Sequence, residues 1–128
     1  MLFTAAHNPE GKASLAIELC AGSNWEVVTS AYCLAEARWN LERKHPEALG
    51  QLSEILRAVR LVPDVAGELC ALSLPEKDRP VFAAAQRWKA THFLTGDRRH
   101  FGPYMNKPRD PMGIVVQTVG DFLVEIQK

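Results

Sequence analysis

The chain is expected to fold as an α/β protein, a three-layer sandwich with helices on both faces of a mostly parallel central sheet. Three features point there. Helical stripes of apolar residues alternate along the chain with apolar runs too short to be helices. Gly, Pro and Asn punctuate the junctions between them. No repeat, low-complexity tract or long linker divides the 128 residues, which suit a single domain, 1–128, able to bury a sizeable core.

The elements follow in order. Met1 to Ala6 is apolar and compatible with a helix, and His7 to Lys12, with Asn8, Pro9 and Gly11, reads as a loop. Ser14 is placed to cap a helix with Leu15, Ala16, Leu19 and Cys20 on one face, ended by Gly22. Trp25 to Thr29, centred on Val27 and Val28, suits a buried strand, after which Ser30 caps a longer helix reaching about Lys44. In that helix Leu34, Ala37 and Leu41 form the core stripe, while Glu36 shares another face with Cys33 and Asn40. Pro46 opens the next helix, with Leu49, Leu52, Ile55, Leu56 and Val59 at helical spacing. Arg60 to Pro63 is a strand candidate, and Val65 to Leu72 a short helix.

The densest information lies between Leu74 and Phe101. Asp78 can cap a helix that starts at Asp78 or Arg79, with Pro80 tolerated in its first turn, and Val81, Ala84, Ala85 and Trp88 recur as a core-facing stripe. Thr91 to Thr95 reads as a parallel strand broken by Gly96. Open parallel sheets bind ligands beyond the carboxyl ends of their strands, which places Asp97 on that rim together with Asp78. Gly102 to Pro111, with three prolines, reads as a loop on the same edge; Ile114 to Gln117 is a last strand, and Val119, Phe122, Leu123 and Ile126 mark a terminal helix.

Composition narrows the function. Fifteen basic and fifteen acidic residues cancel, so no global field draws the protein to nucleic acid or membrane, and recognition of phosphate has to be local. Cys20, Cys33 and Cys70 lie among apolar neighbours without paired metal-ligand spacing, which suits reduced, buried thiols in a cytoplasmic protein. The absence of a long apolar run and of a basic leader region argues against a membrane span or signal peptide.

Glu36, Asp78 and Asp97 are thus delivered toward one sheet edge from three separate junctions. Each alone has a structural explanation: a solvated helix charge, a cap and a turn residue. Together they would repel one another unless a divalent cation lay between them, and Mg²⁺ or Mn²⁺, hard ions that retain water, suit such a set. Arg98, Arg99 and His100 read as a solvated rim with a second use in contacting phosphate. His7, His45 and His92 lack ligand spacing, and Trp25, Trp39 and Trp88 read as packing residues.

With these residues in place the chain resembles a PIN-domain nuclease over most of its length: LFTAAHNPEG, SAYCLAEARWNLERKHP around Glu36, LPEKDRPVFAAA around Asp78 and FLTGDRRHF around Asp97. The resemblance implies a metal-dependent ribonuclease whose Glu36, Asp78 and Asp97 bind Mg²⁺ or Mn²⁺ and carry catalysis. It places Thr95, Ser30, Arg98 and Arg99 on the substrate side. It also implies RNA as substrate, an antitoxin protein as partner, as in a toxin–antitoxin pair, and a homodimer. Two departures accompany it. The family's first strand, with its catalytic Asp, has no counterpart, since Met1-Leu2 aligns with the tail of that motif; a start assigned at an internal Met would account for this. Arg99 stands where many members carry another acid. An unfilled slot between the strands around Val28 and Phe93 would expose two strand edges to another chain. The alternative is a catalytically impaired PIN-like module that binds RNA or protein.

Overall fold

A computed structural model describes residues 1–107 and 113–127 of the chain. The chain forms two compact units, Met1–Val62 and the segment from Pro63 onward, each with its own core. Both are mixed α/β, and their strands run parallel. Hydrogen bonding joins the described strands in two separate pairs rather than in one sheet.

The first unit opens with α1 (Leu2–His7), whose Leu2, Ala5 and Ala6 are buried at helical spacing, and α2 (Lys12–Ala21). Strand β1 (Val27–Ser30) leads into α3 (Ala31–Lys44). The Ser30 hydroxyl oxygen accepts the Cys33 N–H at 3.2 Å, the cap expected there. A 3-10 turn at Pro46–Ala48 precedes α4 (Leu49–Leu56), and β2 (Val59–Val62) pairs with β1 in the register Val27 to Val59 through Ser30 to Val62. Parallel neighbours require a long crossover, and α3 with α4 provides it. Ala5, Ile17, Ala37, Leu41, Leu52 and Ile55 centre this core.

The second unit contains a 3-10 turn at Gly67–Leu69, then α5 (Arg79–Arg87), β3 (His92–Leu94) and α6 (Arg98–Phe101). A 3-10 turn at Gly102–Tyr104 follows, then β4 (Val115–Gln117) and α7 (Val119–Ile126). Strand β3 pairs with β4, His92 to Val115 and Leu94 to Gln117, and the Thr95 N–H extends the ladder to the Gln117 carbonyl at 3.0 Å. Three phenylalanines knit the core. Phe93 stands edge-on to Phe82 with centroids 5.2 Å apart and stacks on Phe101 at 5.1 Å. Such pairs stabilise beyond the area they bury.

Several expected features differ. Ser14 is not a cap; the helix starts earlier, with Gly11 at its N-cap, so Ser14 is buried inside it and Leu15 and Leu19 face outward. Only a 3-10 turn forms between Val65 and Leu72, because the Arg79 guanidinium takes the carbonyls of Gly67, Leu72 and Cys70 at 3.2, 3.3 and 3.4 Å. The buried face of α5 is Phe82, Ala83 and Ala84, with Trp88 41% exposed. Phe82 locks onto Phe93 and Phe101, and six residues on, about a third of a turn off that face, Trp88 swings outward. Trp39, 57% exposed under the Arg43 guanidinium, and Trp25 are likewise not core residues. Cys33 is only half-buried, whereas Cys20 and Cys70 are buried as expected. The Gly102–Pro111 loop begins with the ordered turn and a bridge from Met105 to Val116; Pro108 to Pro111 lie outside the described residues. Among the described residues no helix is long and apolar enough to cross a membrane.

Phe82 is fully buried and Ser30 serves mainly as a cap. In denaturant unfolding Phe82→Ala is expected to cost about 3–5 kcal/mol, and Ser30→Ala about 1 kcal/mol. A smaller loss at Phe82 than at Ser30 would contradict this placement of the second core.

Candidate metal centre

The site grows out of the turn that leaves β3. Past Leu94 the Thr95 hydroxyl oxygen accepts the Asp97 N–H at 3.1 Å, folding the chain back over Gly96. Asp97 then becomes the N-cap of α6. One carboxylate oxygen, Oδ1, accepts the His100 backbone N–H at 3.1 Å, and the other, Oδ2, accepts from His100 Nδ1 at 2.8 Å. An ionised carboxylate only accepts, so in this arrangement Nδ1 carries the hydrogen. Phe101, the next residue, is buried against Phe82 and Phe93 and anchors the four-residue helix from below.

Asp78 arrives from another direction. It occupies the N-cap position of α5 but its side chain does not cap, contrary to expectation; only its carbonyl serves the helix, accepting the Phe82 N–H at 3.2 Å. The backbone at Asp78 is already helical (φ −91°, ψ −17°), not the extended form in which an N-cap side chain reaches forward. Its carboxylate turns instead toward His100, with Oδ2 4.0 Å from Nδ1. The Arg79 guanidinium fixes this corner by tying the 67–72 segment to the start of α5. Gly67 makes the close approach possible, since a Cβ there would meet Pro80 Cδ at 3.2 Å and Arg79 Cβ at 3.3 Å.

Asp78, Asp97 and His100 therefore each offer one ligand atom within 4.8 Å of the others. Their side chains are 21%, 34% and 34% exposed, so the group is open to solvent on one side. The His100 side chain holds the Asp97 carboxyl below its ordinary pKa; the His100 N–H acts the same way and partial desolvation opposes them. Two carboxylate oxygens and an imidazole nitrogen are a donor set that suits a small divalent cation retaining several waters.

Of the residues singled out from sequence, Asp78 and Asp97 come together in the second unit. Glu36 belongs to the first, exposed on α3, where its Oε2 accepts the Tyr32 hydroxyl at 3.4 Å. The Ser30 and Thr95 hydroxyl oxygens are both occupied by backbone N–H groups, and Ser30 is buried. Arg98 and Arg99 are exposed on α6; the Asp121 carboxyl is lowered in pKa chiefly by its hydrogen bond from Asn106, against partial desolvation, with smaller help from Thr118 and the charge of Arg98. His100, read from sequence as part of a solvated rim, is a member of the group. The spacing Asp97-x-x-His100 carried that signal, because it sets an N-cap beside the residue three positions on.

No protein-family model, curated protein or solved structure matches the chain.

The lowered pKa fixes the sign of an acid dependence. The unfolded chain takes up the Asp97 proton at an ordinary value of about 4, the folded chain only at a lower pH. The stabilising contribution is therefore fully present above that ordinary value and is lost as pH falls through the folded one. Asp97→Asn is expected to flatten the acid limb of the stability curve, measured by denaturant unfolding between pH 5 and pH 2. Superimposable limbs would show that the pairing with His100 does not favour the carboxylate.

Proposed function

We propose that this chain is a divalent-metal-dependent ribonuclease that hydrolyses RNA phosphodiester bonds, with Asp78 and Asp97 holding Mg²⁺ or Mn²⁺. The observation that carries this reading is the pairing of Asp78 with Asp97, brought together from two separate helix starts at the end of a parallel strand. A bound ion of this kind activates water and neutralises charge on the phosphate. The hydrogen bonds from His100 lower the Asp97 pKa and so favour the carboxylate form that a metal takes as ligand. The Arg79 clamp and buried Phe101 hold the two carboxylates in place, so little ordering is left to the moment of binding. Exposed Arg98 and Arg99 give the rim two cations for the RNA backbone. The same reading carries the three-layer, PIN-like arrangement, the homodimer and the antitoxin partner that the resemblance implies.

The second reading is a PIN-like module that binds RNA or protein without cutting. Both Asp97 oxygens are engaged by His100, and Arg99 replaces an acid beside the site, which favours it.

Cleavage of single-stranded RNA with Mn²⁺ tests the first reading. EDTA is expected to abolish cutting, and Asp97→Asn and Asp78→Asn each to lower the rate by about 100-fold or more, since even residues outside a metal's direct ligands cost 10–100-fold. RNA binding without cleavage, unchanged in both variants, would establish the second.

A further inference from the structure

We infer that Thr91, His92 and Glu125 form an acyl-transfer centre, in which the Thr91 hydroxyl takes the acyl group of a short carboxylic ester and passes it to water. It stands at the opposite end of β3 from Asp97 and does not depend on the metal-site reading.

The Thr91 hydroxyl oxygen is 2.9 Å from His92 Nδ1, and His92 Nε2 is 3.4 Å from Glu125 Oε1. A carboxylate only accepts, so Nε2 carries the ring hydrogen, Nδ1 keeps its lone pair, and the Thr91 hydroxyl donates to it. Nucleophile, base and orienting acid thus follow one another in hydrogen-bonding order. The longer second contact is of the kind that tightens once substrate is bound. Phe122 holds the ring edge-on with centroids 5.5 Å apart, and the other Glu125 oxygen accepts from the buried Gln117 amide. The Thr91 carbonyl is fixed in turn by the Val115 N–H at 2.9 Å. Thr91 is exposed while the His92 side chain is only 15% exposed, which leaves the nucleophile open and its base shielded.

A cleft of about 270 Å³ receives the substrate, lined by Thr91 with Gln86, Lys89, Ala90, Gly113 and Ile114. Ala90 and Ile114 are apolar walls for a short acyl chain. Gln86 Oε1 accepts the Ala71 N–H at 2.9 Å, which leaves its NH₂ group to donate. That donor and the Lys89 ammonium suit the oxyanion formed when the carbonyl is attacked. Thr91 Oγ bonds to the acyl carbon as its proton passes to His92 Nδ1. The ester C–O bond then breaks, and the departing alcohol takes that proton. Water attacks the acyl-threonine and gives a proton to Nδ1, which returns it to Thr91 Oγ as the carboxylic acid leaves.

Hydrolysis of para-nitrophenyl butyrate by the full chain, with acid quenching and peptide mass spectrometry, tests this. A butyryl group is expected on Thr91 in the wild type and on the new hydroxyl in Thr91→Ser, and on neither Thr91→Val nor His92→Gln. Both of the latter should lose at least about 100-fold in kcat, the low end of what a positioned base supplies. Glu125→Gln, which acts through His92, should lower kcat and leave KM unchanged. Circular dichroism checks that each variant folds. Turnover no faster than in buffer, full activity in Thr91→Val, or a butyryl group on Lys89 instead would each overturn the assignment.

Discussion

The Asp97 carboxylate sits between two demands, and the second unit depends on its meeting both. The chain leaving β3 must turn sharply, and α6 has only four residues, far too few to hold a helix by its own hydrogen bonds. Asp97 resolves this by accepting the His100 N–H, while Thr95 accepts the N–H of Asp97 in turn. Phe101 is then delivered into the aromatic core, and the same carboxylate fixes the His100 ring. A turn, a cap and a core contact are carried by seven consecutive residues, 95–101.

Asp78 is held by a different kind of contact. Arg79 donates to three carbonyls of the preceding segment, of which a helix through Val65–Leu72 would have used that of Gly67 internally and left those of Cys70 and Leu72 free at its end. A charged donor spread over three half-buried acceptors replaces that helix with a strap lying against the start of α5. Freed from capping, the Asp78 side chain turns toward His100. What the sheet end contributes through Asp97, the strap contributes through Asp78.

How much of this was legible in the sequence depended on the range of the interaction. Local chemistry could be read: Ser30 as a cap, Val27 and Val28 as a strand, Phe93 and Leu94 as another, and Phe122 and Leu123 as the inner face of the last helix. Asp78 and Asp97 could be paired because both fall at junctions next to apolar elements. The strap could not, since an Arg that binds carbonyls twelve, nine and seven residues back leaves no periodic trace. The burial of Phe82 rather than Trp88 was decided by Phe93 and Phe101, residues beyond the reach of any stripe drawn on one helix. His100 lay three residues from Asp97, and its spacing acquires meaning only once α6 is known to start at Arg98.

The measurement that bears most directly on the proposed metal centre is anomalous diffraction from crystals soaked in Mn²⁺. An anomalous peak about 2.2 Å from carboxylate oxygens of both Asp78 and Asp97 is the expected result. A saturating soak that leaves no peak there, with the Asp97 to His100 hydrogen bonds intact, would mean that these residues serve the fold alone.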